Sequence, residues 1–172
     1  IRAIIQEMES LNETYPGHFE PTPNTYLLAI DALAQSGEAN AGKHAMGLLK
    51  KVKDPTIRVL ASTLSSLARS SGQGIVKTTE KLFQQILEFY RKGDRRAAVN
   101  GRTLTMVLST ILKAPEPDSG ERALKILRQT IELGRENLSD LAPNTIVFNC
   151  VLNGLARRKA SSDAMAVFEE MK

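Results

Sequence analysis

The chain has 172 residues, 42% of them hydrophobic and 24% charged, with 23 basic against 19 acidic side chains and a net charge of +4. That mixture is too apolar for a disordered segment, and the basic excess leans toward a polyanionic partner. One cysteine, Cys150, excludes an internal disulfide and a cysteine metal cluster, and no apolar run reaches the roughly 18 residues that cross a bilayer.

Taken from the start, Ile1, Ile4, Ile5, Met8 and Leu11 recur at helical spacing. They predict the second helix of a hairpin whose first half is missing. Ile1-Arg2-Ala3-Ile4-Ile5 reads as neither a secretory signal nor a transit peptide. The sequence lacks an initiating methionine and stops at Glu169-Glu170-Met171-Lys172, so it is expected to be a piece of a longer protein. Pro21-Thr22 then breaks the chain ahead of a helix carrying Ile30-Asp31-Ala32-Leu33-Ala34, followed by a second helix over Ala45 to Val52. Pro55-Thr56 repeats the break, Leu64-Ser65-Ser66-Leu67-Ala68 repeats the helical pattern, and Glu80 to Tyr90 supplies the next second helix.

A less regular unit opens at Asn100-Gly101 in place of a proline and runs from Arg102 through Leu108, Ile111 and Leu112, with its second helix over Ala123 to Leu133. Pro143-Asn144 starts the last unit. There Phe148, Val151, Leu152 and Leu155 form one apolar face, and Ala164, Val167, Phe168 and Met171 form the next, separated by the capping-type run Ala160-Ser161-Ser162-Asp163. No strand alternation competes. The units fall at 1–20, 21–54, 55–99, 100–142 and 143–172. A lone hairpin cannot enclose a core, so the predicted fold is all-α: one array of stacked helix-turn-helix repeats forming an α-solenoid.

The residues Pro143-Asn144-Thr145-Ile146-Val147-Phe148-Asn149-Cys150-Val151-Leu152-Asn153-Gly154-Leu155, continued by Ala164-Met165-Ala166-Val167-Phe168-Glu169-Glu170-Met171-Lys172, resemble a pentatricopeptide repeat. The likeness rests on the proline-led break, the aromatic-Asn pair, the leucine-glycine-leucine-like core and the Phe-Glu-Glu-Met ending. It is carried in part by residues 21–52 and 55–90, by the hydrophobic frame alone over 102–133, and by Ile4-Ile5-Gln6-Glu7-Met8. Tetratricopeptide repeats remain an alternative for the weaker units.

The resemblance implies a right-handed superhelix that binds single-stranded RNA in a mitochondrion or plastid for processing, stability or translation, one base per repeat. It also implies which residues face the bases: the fifth of each repeat, namely Leu27, Ala61, Met106 and Asn149, and the residue closing it, namely Thr56, Gly101 and Asn144. Leucine, alanine and methionine cannot hydrogen-bond a base edge, and only Asn149 can both donate and accept.

Arg69, Lys113, Arg157 and Arg158 recur near first-helix ends, where they could meet phosphates or simply sit favourably against helix C-termini. Arg91-Lys92-Gly93-Asp94-Arg95-Arg96 is a further basic run that fits either a nucleic-acid grip or a solvated connector. Tyr26, Phe148 and Phe168 fit core positions better than stacking platforms. His18 and His44 stand apart from any metal-ligand partner, Gly72-Gln73-Gly74 reads as a turn rather than a phosphate loop, and Glu169-Glu170 reads as a solvated pair. An RNA-binding scaffold with no cofactor and no catalytic apparatus is the expectation; a protein-binding solenoid is the alternative.

Overall fold

Capping side chains, prolines and left-handed glycines set where the helices begin and end. In the computed structural model, which describes residues 2–38, 40–70, 74–93, 100–136 and 141–171, the described regular structure is helical: α1 (Arg2–Thr14), α2 (Pro23–Ser36), α3 (Ala41–Leu49), α4 (Ile57–Leu67), α5 (Ile75–Arg91), α6 (Gly101–Lys113), α7 (Ser119–Arg135), α8 (Thr145–Arg157) and α9 (Ser161–Glu170). Helix α2 shows the logic in full. Thr22 and Thr25 exchange side-chain to backbone hydrogen bonds as a capping box, Pro23 occupies the first turn where its missing N–H costs nothing, and Gly37 closes the helix at φ 70°.

Two compact units divide the chain, Ile1–Ser70 and Ser71–Lys172. Each unit is helical and repeat-like in itself, and the boundary between them falls within the sequence-defined unit 55–99. In the first unit α2 packs against both α3 and α4, and α3 against α4. Ile5 from α1 joins Leu27, Ile30, Leu33, Ala45, Leu48 and Val59 in one core. Glu9 ties α1 to this body: it accepts from the Tyr26 hydroxyl at 3.2 Å and from Lys51 Nζ at 2.6 Å. Burial, and then the Glu9 carboxylate, raise the Tyr26 phenol above its ordinary value. Ser66 satisfies its buried hydroxyl on the Ile30 carbonyl, across from α4 to α2.

In the second unit α6 and α8 lie side by side, α7 packs on both, α5 packs on α6, and α9 on α8. Polar side chains link α5, α7 and α9 in turn. Arg122 Nη1 meets Glu80 at 2.7 Å, Gln84 and Gln129 bond each other, and Arg128 meets Glu170 at 2.9 Å. Phe83, Ile86, Leu87, Leu104, Leu108, Ile111 and Leu127 fill the interior, each fully buried. Every such side chain removed from water contributes about 1.5–3 kcal/mol, before the ordering cost of the chain.

Close approach of α6 and α8 depends on Gly154: a β-carbon there would lie 2.5 Å from Leu112 Cδ1. Two local expectations are corrected. Phe168 was placed in the core and is 46% exposed, although Val167 beside it is fully buried. The 160–163 run was expected to cap α9 with its side chains, yet Ala160 is the N-cap and no side-chain cap bond forms.

Candidate nucleic-acid interface

The helices that the sequence assigns to the first position of each hairpin are α2, α4, α6 and α8, which begin at Pro23, Ile57, Gly101 and Thr145. Counting from those starts, the fifth residues are Leu27, Ala61, Thr105 and Asn149. Thr105, not Met106, is therefore in register with Asn149. The residues immediately before the helices are Thr22, Thr56, Asn100 and Asn144, so Asn100, not Gly101, matches Thr56 and Asn144. Gly101 is already the first residue of α6.

These preceding residues are N-caps, and three of the four spend their side chains on that task. Thr22 accepts from Thr25 N, Asn100 Oδ1 accepts from Arg102 N and Thr103 N, and Asn144 Oδ1 accepts from Val147 N at 3.1 Å. Thr56 occupies the same position, exposed, with no side-chain cap bond. The other end of the Asn144 amide rests on Gly101, where an added β-carbon would come within 2.7 Å of Nδ2. Gly101 and Asn144 are thus brought together, through helix starts that pack on each other.

The fifth residues differ in their surroundings. Leu27 is buried in the core of the first unit and Ala61 is half-buried. Thr105 is half-buried, its hydroxyl donating to the Gly101 carbonyl at 2.7 Å. Met106 is half-buried, with its carbonyl accepting from Ser109 and Thr110. Asn149 is exposed midway along α8. Cys150 follows it and turns toward α6, its Sγ 3.8 Å from the Thr105 carbonyl; burial raises the thiol, with Lys113 pulling it partly back. A thiol held protonated in this way is a packed side chain rather than a nucleophile.

The cations divide as sharply. Arg69 at the end of α4, Lys113 at the end of α6 and Arg157 at the end of α8 are exposed. Arg158 is turned inward. Its guanidinium donates to the carbonyls of Ala114 at 3.0 Å, Glu116 at 2.7 Å and Pro117 at 3.3 Å, bracing the turn between α6 and α7. Arg102, at the start of α6, is exposed on the same side as Lys113, since positions 102, 109 and 113 fall on one helical stripe. The sequence reading missed Arg102 and Asn153. Their signal was register: Arg102 stands to α6 as Arg58 stands to α4, and Asn153 is one turn beyond Asn149.

The stripe of the α6–α8 pair is therefore exposed at Arg102 and Lys113, with Ser109 half-buried between them, beside the exposed Ile146, Asn149, Asn153 and Arg157. Neither helix contains an aspartate or glutamate. Carboxylates lie elsewhere: Glu80 on α5, Asp118 just ahead of α7 and Glu170 on α9 meet arginines, and Glu116 sits in the α6–α7 turn. A recess of about 600 Å³ between α5 and α7 is lined by both signs of charge, including Glu80, Asp118, Arg122 and Lys125. In the first unit Arg58 on α4 and Arg69 just beyond its end are exposed, while α2 presents Leu28, 61% exposed, and Asp31, which accepts from the Ser62 hydroxyl.

Of the Arg91–Arg96 run, Arg91 and Lys92 are exposed at the end of α5, and residues 94–96 lie outside the described residues, as do 72 and 73 of the glycine turn. Among the described residues no cluster of three metal-ligating side chains occurs, and no described helix is long and apolar enough to cross a membrane. Compared with protein-family models, curated proteins and solved structures, the chain matches none.

Proposed function

We propose that the chain is a stretch of α-solenoid, similar to pentatricopeptide repeats, that holds single-stranded RNA along the α6–α8 face. The observation that carries this reading is the separation of charge in the second unit. Arg102, Lys113 and Arg157 stand exposed on two adjacent helices that contain no carboxylate, while Glu80, Asp118 and Glu170 elsewhere in the unit meet arginines. A face of one sign concentrates a polyanion, and exposed amides between the cations add polar contacts. The resemblance in residues 143–172 adds the choice of RNA, the role in processing, stability or translation of transcripts, and the mitochondrial or plastid setting. No catalytic step and no cofactor belong to this function.

The test is anisotropy of the protein with labelled single-stranded RNA across a salt series, with duplex DNA and duplex RNA as controls. Three phosphate contacts on a single strand give a log–log salt slope of about −2. Selective, salt-sensitive binding of the single strand supports the reading, and no binding at low salt sinks it. A protein-binding solenoid is the second reading, favoured by the exposure of Leu28 (61%) and Ile146 (66%). It would show as retention of a protein partner that high salt does not release.

A further inference from the structure

We infer that the turn between α1 and α2 is a docking surface for a cationic segment of a partner protein, which seats an arginine against the Tyr15–Phe19 aromatic pair. The inference stands on the first unit alone and is independent of RNA binding.

The pair is held out on an ordered turn. Tyr15 N still donates to the Leu11 carbonyl at 2.7 Å, continuing α1, and the Tyr15 carbonyl then accepts from His18 N at 3.2 Å. Pro16 and Gly17 fill the two corner positions, with Gly17 at φ 84°, the left-handed value that a type II turn requires there. Asn12 Oδ1 accepts from Gly17 N at 2.9 Å and pins the turn to the helix. On this support the two rings meet edge to face, their centroids 6.3 Å apart and their planes at 61°. Tyr15 is 56% exposed and Phe19 39%. Backbone conformation and a side-chain bond are thus committed to holding out aromatic surface that is left in water.

Charge defines what fits it. Residues 3–42 carry six carboxylates, Glu7, Glu9, Glu13, Glu20, Asp31 and Glu38, and no lysine or arginine, in a chain whose net charge is +4. Glu9 is already met by Lys51. Glu13 stands exposed in the last turn of α1, where the orphan carbonyls are negative and no basic residue offsets them. Glu20 is exposed beside Phe19, and its charge adds to burial and to Glu9 in raising the Tyr26 phenol. The helix end, Glu13, Glu20 and the negative ring faces all favour a cation. Arginine fits better than lysine, because its planar guanidinium stacks on an aromatic face while its N–H groups remain available to a carboxylate. An anionic strand is repelled here, and a purely apolar segment gains nothing from the carboxylates.

The experiment measures, by anisotropy and without RNA, the binding of labelled oligoarginine, oligolysine and neutral glycine-serine peptides of equal length to the whole chain. Oligoarginine is expected to bind about fivefold more tightly than oligolysine, and the neutral peptide not to bind. Tyr15→Ser with Phe19→Ser is expected to bring oligoarginine to the oligolysine level, whereas Tyr15→Phe, which keeps the ring, retains the preference. Glu13→Gln with Glu20→Gln is expected to weaken both cationic peptides alike and to reduce their salt dependence. Lys113→Gln with Arg157→Gln, in the second unit, is expected to leave the peptide affinities unchanged. Circular dichroism melts of the serine and glutamine variants, expected within about 2 °C of the parent because the altered side chains are exposed, separate loss of the surface from loss of the fold.

Equal affinity for the two cationic peptides, an arginine preference that survives the double serine change, or no binding at low salt would each overturn the inference. So would concentration-dependent sedimentation of the chain that the serine change abolishes, since the surface would then belong to a second copy.

Discussion

Gly154→Ala and Gly47→Ala are the same chemical change in two helices, and the structure assigns them opposite signs. Alanine in place of a helical glycine ordinarily stabilises by about 0.5–1 kcal/mol, because the unfolded chain loses freedom. At Gly47, in α3, an added β-carbon meets nothing within 4 Å, so that gain is expected in full. At Gly154 the β-carbon would lie 2.5 Å from Leu112 Cδ1, 2.8 Å from its Cβ and 3.0 Å from its Cγ. Rotation of the leucine cannot relieve a contact with its Cβ, so α6 and α8 must separate. Overpacking of this kind costs about 1–3 kcal/mol, which exceeds the propensity gain and leaves a net loss of about 1–2 kcal/mol.

Thermal denaturation followed by far-ultraviolet circular dichroism should show Gly154→Ala melting lower by about 2–8 °C. Gly47→Ala should melt slightly higher. Leu112→Ala supplies a second reading: combined with Gly154→Ala it should destabilise less than the two changes summed, because the contacts with Cγ and Cδ1 are removed and only that with the Cβ remains. A Gly154→Ala protein more stable than the parent, or strictly additive behaviour with Leu112→Ala, would refute the close α6–α8 contact on which the proposed binding face rests.

Asn144→Ala removes the oxygen that caps α8 and should cost about 1 kcal/mol in denaturant unfolding, while Asn144→Ser, which keeps a capping oxygen, should recover most of it. Arg158→Gln removes donors from the Ala114 and Glu116 carbonyls and should destabilise by about 1–3 kcal/mol with an unchanged salt slope for RNA. Its neighbour Arg157→Gln should do the reverse, leaving the melting temperature in place and lowering the slope by about 0.7. Asp118 is held below the ordinary carboxylate value, first by the hydrogen bond from Arg122. Its stabilisation is therefore complete above the unfolded carboxylate pKa and is lost as pH falls through the lower folded value. Asp118→Asn should accordingly lower stability slightly at neutral pH, leave it unchanged below the folded value, and so flatten the acid limb of the stability–pH curve.

Helix existence was legible because it is a local property. The apolar stripes around Leu64, Leu108, Val151 and Val167 mark helices wherever they occur, and α2, α4, α6 and α8 fall where the spacing placed them. Register was less legible, and its failure is instructive. Without a proline ahead of α6, Asn100-Gly101 was read as one break. In fact Asn100 caps and Gly101 is already helical, which shifted the fifth position from Thr105 to Met106. The start of a helix is decided by which side chain bonds its orphan amides, and the hydrophobic pattern carries no record of that. Phe168 shows the other limit. Its spacing matches that of a core residue, but burial is conferred by neighbouring helices, and here it is 46% exposed.

Arg157 and Arg158 bring these two limits to bear on function. Adjacent in sequence and identical in chemistry, they are separated by about 100° around the helix axis. One consequently reaches solvent beside Asn153, and the other reaches three carbonyls of a turn contributed by α6 and α7. The same division of labour separates Asn149 from Asn144: one amide is exposed, and the other is consumed in starting a helix. A polar residue at a recurring position is thus a candidate reader only after the fold has taken its share. Here the caps, the α6–α7 turn and the threonine back-bonds take theirs first. What they leave exposed on the α6–α8 face is three cations and two amides, the groups on which the proposed salt-dependent binding of a strand rests.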